Sequence, residues 1–292
     1  MKKLGFFFFI ALCFGIAVNI AAAPYYEDKV KEQNIVVDVK KDEEKAIKMK
    51  KIEIAKKQIF EGNLLLVNNE YPVLQESVKL DIVNLYTHKE LTDGYGLMNT
   101  EIYLSTAVAN NFSDMIAAAN KEGVSHFIIS SGYRGFDEQN SLYEELGSDF
   151  ALPAGSSEHN LGLSLDVGST QMKMSEAPEG KWLEQNAWKY GFIVRYPKDK
   201  IDITGIQYEP WHIRYVGLPH SAIMEEKNLA LEEYIDYLKE EKNIFANVNG
   251  DQYTVSYYPV PQTSEIQVPI DKQYDISGNN IDGVIVTVYE KM

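Results

Sequence analysis

The only cysteine in the 292-residue chain, Cys13, lies inside LGFFFFIALCFGIAVNIAAA (4–23), a run of twenty residues without a charge. Everything after that run must therefore fold without a disulfide. Lys2 and Lys3 precede the run. At about 1.5 Å per residue it is long enough to span a bilayer, with the lysines kept on the cytoplasmic side. Ala21-Ala22-Ala23 resembles a signal-cleavage site, but Pro24 follows it directly and the run is long for a signal. Leu12, large for the residue before a lipid-attached cysteine, argues against lipidation of Cys13. The expectation is an uncleaved N-terminal membrane anchor over 1–23, with the rest of the chain outside the cell; secretion after cleavage is the alternative. A body exported without thiols relies on core burial, with a bound metal as its other stabilising device.

Apolar residues make up 45% of the chain and aromatics 12%, enough for a sizeable core. The formal charge of −15 excludes the basic surface that nucleic-acid binding requires. Residues 24–60, including VKKDEEKAIKMKKIEIAKK, read as a solvated charged stalk, helical or partly disordered. From Gly62 the texture changes. Helical spacing is predicted over 105–123, 136–147, the first part of 178–192, and 221–242; HFIIS (126–130) and FIVRY (192–196) read as strands. Residues 61–242 thus form the main domain. The short β-type runs QYTVSYYPV and GVIVTVYE place a small β-rich appendage at 243–292. Helices mixed with irregularly spaced strands predict an α+β fold and not a doubly wound sheet.

Two stretches carry chemistry. SSEHNLGLSLD (156–166) holds His159 and Asp166, and EPWHIRYVG (209–217) holds Glu209 and His212. A hydrolytic zinc site needs three N/O ligands, an open position for water and a base beside it. His159, Asp166 and His212 make a candidate ligand set, with Glu209 as the base. In an extended strand Glu209 and His212 would face opposite sides, but Pro210 between them favours a kink that aims both into one cavity. His88, His126 and His220 read as ordinary loop or core residues. Of 28 basic residues only three are arginine: Arg134, Arg195 and Arg214. The planar guanidinium suits carboxylates and oxyanions. Arg134 follows a strand, where a side chain can project into a cleft; Arg195 and Arg214 read as structural ion-pair partners.

SGYR with its following Gln, SEHNLGLSLD and EPWHIRYVG, in that order, resemble the VanY-type zinc D-alanyl-D-alanine carboxypeptidases of the vancomycin-resistance clusters. These belong to the lysostaphin, D-Ala-D-Ala peptidase and sonic hedgehog group. The likeness extends through GNLLLVNNEYPV, GVSHFIISSGYR, APEGKW and GLPHSAIMEEK. It implies a mixed or antiparallel sheet with flanking helices, a Zn²⁺ cofactor held by His159, Asp166 and His212, and Glu209 as catalytic base. It further implies that Arg134 stabilises the scissile carbonyl, and that Ser157 and Gln139 hold the terminal carboxylate of the substrate. Ser164, where the family often has alanine, is a departure.

The implied substrate is a peptidoglycan pentapeptide precursor ending in D-Ala-D-Ala, whose last residue is removed so that fewer vancomycin targets remain. The membrane, through the N-terminal run, is the other expected partner. No Ser is followed three residues on by Lys, and both K-T-G and H-E-x-x-H are absent, so neither a penicillin-type serine route nor a zincin route is available. The alternatives are an L,D-carboxypeptidase or cell-wall endopeptidase of the same family, and a non-catalytic wall-binding module.

Overall fold

The computed structural model describes residues 35–38, 48–147, 151–260 and 265–291. The described residues begin with strands β1 (Ile35–Asp38), β2 (Met49–Glu53), β3 (Ile82–Asn84), β4 (Gly96–Leu97) and β5 (Tyr103–Ser105), then helix α1 (Thr106–Lys121). The motif-bearing part runs through β6 (Phe127–Ser131), α2 (Phe136–Leu146), β7 (Ser164–Ser169), α3 (Pro178–Asn186), β8 (Phe192–Val194), the short α4 (Ile201–Thr204) and β9 (His212–Tyr215). Helices α5 (His220–Lys227) and α6 (Leu231–Glu241) lead into β10 (Asn243–Val248), β11 (Asp251–Pro259), β12 (Glu265–Pro269), β13 (Tyr274–Gly278) and β14 (Gly283–Lys291).

The motifs lie on a five-stranded mixed sheet of order β4-β6-β7-β9-β8, parallel only between β4 and β6. This is the expected α+β architecture. Strand alternation sorts its two faces. Leu165, Val167 and Ile213 point into a core with Phe112 and Ile116 of α1, while Asp166 and His212 are register partners on the other face. Helix α1 forms because Val108, Phe112, Met115, Ile116 and Ala119 make one apolar stripe. Its start is fixed by Ser105 Oγ, which accepts from Val108 N–H, and by Asp81, which accepts from Ala107 N–H at 3.0 Å. Gly123, at φ +82°, ends it.

Several sequence-based expectations are corrected. The predicted helix over 221–242 is two helices, because Asn228 turns left-handed at φ 49° and the Glu233 side chain recaps the chain at Ala230 N–H. Within the expected charged stalk, β1 pairs with β10 and β2 with β12, while Ile54 and Ile59 are buried. Lys50 and Lys51 of β2 stay exposed and only Ile52 is half-buried, so a charged segment forms an edge strand. The expected membrane anchor, and with it the membrane partner and membrane localisation, is not supported. Among the described residues no helix is long and apolar enough to cross a membrane. The longest described helix, α1, has 16 residues, short of the roughly 20 that a bilayer core requires. The run 4–23 itself lies outside the described residues.

Residues 243–291 supply most of a sheet of order β1-β10-β11-β14-β13. Its inner face shares a core with α5 and α6 through Ile223, Tyr234, Leu238, Ile244, Val255 and Ile285. His220 joins the two parts: Nδ1 lies 2.7 Å from the Tyr234 hydroxyl and Nε2 2.9 Å from Thr287 Oγ1. Burial pushes this imidazole down to about 3. The unfolded chain takes up the proton near pH 6.5 and the native state only near 3, so stability is full above 6.5 and drains as pH falls. By pH 5 about 2 kcal/mol should be lost to this group. Urea titrations of the native protein and His220→Gln between pH 7 and 5 test it; equal slopes for the two would show that His220 does not drive the loss.

Candidate metal centre

His159 enters the site from a single 3₁₀ turn, Glu158–Leu161. Gly162 closes that turn at φ +81°, a left-handed conformation that favours glycine, and a Cβ there would also have to displace Ile82 Cδ1 from 2.2 Å. Four residues after Gly162, β7 presents Asp166. Across the ladder β9 presents His212, and the turn before β9 explains how Glu209 comes with it. His212 N–H donates to Glu209 C=O at 3.2 Å, closing a four-residue turn with Pro210 at its second position. The kink expected at Pro210 is this turn.

One ligand atom from each of His159, Asp166 and His212 lies within 4.8 Å of the others. His159 Nδ1 donates to Gly132 C=O at 2.6 Å, which leaves Nε2 unprotonated and 3.3 Å from Asp166 Oδ2. His212 Nδ1 is 3.0 Å from Asp166 Oδ1, and its Nε2 is 3.4 Å from Glu158 Oε2. With Nε2–H directed at Glu158, the lone pairs of His159 Nε2, His212 Nδ1 and Asp166 converge. Lone pairs so placed repel unless a cation lies among them. Without a cation, a proton is drawn onto His212 to take its place against Asp166. Burial opposes protonation of His212, but Asp166 and Glu158 outweigh it and push the imidazole up to about 9. Burial lowers His159, with Arg134 and His212 adding to the effect against Asp166. Burial would raise Asp166, yet His159 and His212 hold it far below the usual carboxylate range. Two imidazoles, each with a backing contact, and a carboxylate fit a zinc ion. The side chains of His159 and His212 are 3% and 6% exposed whereas Asp166 keeps 20%, so the site opens to solvent on the Asp166 side.

Of the other expected residues, Glu209 and Arg134 lie within electrostatic reach of Asp166. Burial raises the Glu209 carboxyl and Asp166 adds to it, opposed by His212 and Arg134. Glu209 has no side-chain hydrogen bond among the described residues, which leaves it able to exchange protons. Arg134 is held by its backbone: its N–H donates to His159 C=O at 3.1 Å and its C=O accepts from Asn160 Nδ2 at 2.8 Å. Its Nε is buried without a partner. Such an orphaned donor fits an oxyanion ligand. Ser157 is buried just ahead of the 3₁₀ turn. Gln139 is not a surface amide: it is 1% exposed, its Nε2 donates to Leu152 C=O at 2.6 Å, and its Oε1 is unpartnered.

Two neighbours of His212 escaped sequence reasoning. Glu158 is wholly buried against Arg195 and Arg214, and Tyr196 lies against the His212 ring with centroids 5.1 Å apart. Two arginines kept in a lysine-rich chain signalled a carboxylate partner, but nothing in the sequence marked which one.

Residues 101–218 match the family model described as VanY, D-alanyl-D-alanine carboxypeptidase. A D-alanyl-D-alanine carboxypeptidase of Enterococcus faecium is 58% identical over 295 residues, spanning 99% of this chain and 97% of that protein. The crystal structure of the vancomycin-resistance D,D-dipeptidase VanXYg with a D-Ala-D-Ala phosphinate analog is 33% identical at a TM-score of 0.72, covering 83% of this chain and 100% of that one. VanYB in complex with D-alanine-D-alanine is 28% identical at a TM-score of 0.50, covering 60% of this chain and 97% of that one.

Proposed function

The chain belongs to the VanY family of D-alanyl-D-alanine carboxypeptidases, and from that premise we propose how its residues remove the terminal D-Ala from peptidoglycan precursors ending in D-Ala-D-Ala. Loss of that residue lowers the supply of vancomycin targets. The observation that carries the reading is the convergence of His159, Asp166 and His212 with Glu209 placed beside them by the Pro210 turn.

His159, Asp166 and His212 would hold Zn²⁺, which when bound polarises a carbonyl and acidifies water. Glu209 takes the proton of the attacking water and passes it to the departing D-Ala amine. Its raised pKa brings it nearer to the range in which a base both accepts and returns a proton. Arg134 directs its unpartnered Nε towards the oxygen on which negative charge develops, a contribution often worth about 3–4 kcal/mol. The Ser157 hydroxyl and the remaining N–H of the Gln139 amide receive the terminal carboxylate. Every step is non-covalent at the protein, so penicillin should leave no adduct.

The deciding experiment measures D-Ala release from a precursor pentapeptide, with and without a chelator. One D-Ala per peptide is expected, abolished by chelation and restored by Zn²⁺; full activity in metal-free protein would overturn the ligand assignment. The similarity to a D,D-dipeptidase across 83% of the chain favours one second reading, hydrolysis of free D-Ala-D-Ala. Running the dipeptide and the tetrapeptide in parallel separates this activity from L,D-cleavage. Release from the tetrapeptide alone would sink the D,D assignment.

A further inference from the structure

Three charged side chains, Glu158, Arg195 and Arg214, are sealed behind the His212 ring on the side away from Asp166, and the partly exposed Glu232 joins them through Arg195. Glu158 Oε1 accepts from Arg195 Nε at 2.8 Å and from Arg214 Nη1 at 2.7 Å. Arg195 gives its other two nitrogens to Glu232, at 2.6 and 3.0 Å. Arg214 donates to three backbone carbonyls, Asn63 and Leu65 at 2.9 Å and Tyr215 at 3.1 Å. Two arginines and two glutamates cancel in charge, and both guanidiniums are tied on their outer sides to α6 and to the backbone.

Stability alone does not account for such a cluster. Buried ion pairs are commonly no better than the hydrophobic groups that would fill the same space. What the cluster does achieve is a carboxylate that cannot turn. Oε2, the oxygen left over, faces His212 Nε2 at 3.4 Å and accepts from Ser164 Oγ at 3.1 Å. Ser164 stands two residues before Asp166 on the same face of β7, at the position where the family often carries alanine. Its hydroxyl is wholly buried, and its hydrogen bond to Glu158 gives that departure a purpose. Tyr196 covers one side of the imidazole, and His159 meets it edge-on at 83° with centroids 4.9 Å apart.

We propose that Glu158, braced by Arg195 and Arg214 and oriented by Ser164, is a positioning residue that holds His212 with Nε2–H turned inward and Nδ1 turned towards the cation. This rests on the reading of His159, Asp166 and His212 as a metal site. A carboxylate behind a ligating histidine fixes its tautomer and orientation and strengthens its basicity. Ser164 supplies the second donor that keeps Oε2 aimed.

The test is zinc affinity by chelator competition on the full chain, together with the visible spectrum of the Co²⁺-substituted protein. Glu158→Gln should weaken zinc about 10- to 100-fold and alter the Co²⁺ bands. At saturating zinc it should lower kcat with little change in KM. Ser164→Ala, which leaves both arginines paired, should weaken zinc by about 2- to 10-fold. Glu232→Gln cuts the same network beyond Arg195; it should lower the melting temperature and leave zinc affinity unchanged. Equal losses of affinity in Glu158→Gln and Glu232→Gln would reduce Glu158 to a structural part and overturn the proposal. So would native affinity and native Co²⁺ bands in a folded Glu158→Gln protein. If that variant does not fold, Ser164→Ala decides by the same two readouts. The affinity measurement is independent of turnover: native protein that binds zinc tightly but releases no D-Ala would refute the proposed function and leave this one standing.

Discussion

Glu209→Ala is expected to retain zinc and the native fold while D-Ala release falls by about 10²- to 10⁴-fold, the usual contribution of a positioned general base. The residue is well placed for separating these effects. Its side chain makes no hydrogen bond among the described residues, and it reaches the site through the backbone of the Glu209–His212 turn, which the substitution leaves intact. Removing it therefore deletes no ligand and breaks no buried contact. Glu209→Gln, similar in shape but unable to take a proton, should fall as far as the alanine variant. Zinc content by elemental analysis and kcat/KM on the pentapeptide precursor check both halves. Undiminished turnover in either variant would remove Glu209 from the role of base, and loss of zinc would make it a ligand.

The candidate metal centre was legible in the sequence because its residues keep short, fixed spacings that local geometry converts into convergence. His159 and Asp166 are joined by one 3₁₀ turn, one left-handed glycine, Leu163 and two strand residues. Glu209 and His212 are joined by one proline turn. What the spacing cannot give is the cross-strand register that sets Asp166 opposite His212, a pairing across 46 residues. The same limit explains the stalk. Lys50, Lys51 and Glu53 read as solvated charges, and most of that reading is sound for their side chains. The strand they form exists only because β12, more than 200 residues away, pairs with it, with Lys51 meeting Glu265 at 2.9 Å. Glu158 was hidden for a different reason. An acidic residue beside a histidine motif looks like a surface charge, and its burial follows from two arginines that arrive from separate segments, Arg195 just past β8 and Arg214 on β9.

Those arginines carry the second large expected effect. Arg214→Met should destabilise the protein by roughly 3–5 kcal/mol, the usual result of removing one partner from a buried pair. Arg214 is entirely buried and serves four acceptors: the Glu158 carboxylate and the carbonyls of Asn63, Leu65 and Tyr215. Methionine fills much of the volume but satisfies none of them. Burial by itself would raise the Glu158 carboxyl, and Arg214 is the larger of the two guanidinium influences that hold it well below the usual range. Without Arg214 the native state loses part of its hold on the ionised carboxylate, so acid should unfold the variant at a higher pH than the native protein. Arg214→Lys restores the charge, but a single ammonium cannot reproduce the fork that reaches Glu158 and the 63–65 segment together, so only part of the loss should return. For a domain of this size the methionine variant should melt roughly 10 °C lower. Calorimetry across the three proteins measures the effect. A methionine variant as stable as the native protein would mean that hydrophobic packing replaces the pair at no cost, and that the arginine is kept for the geometry of the site alone.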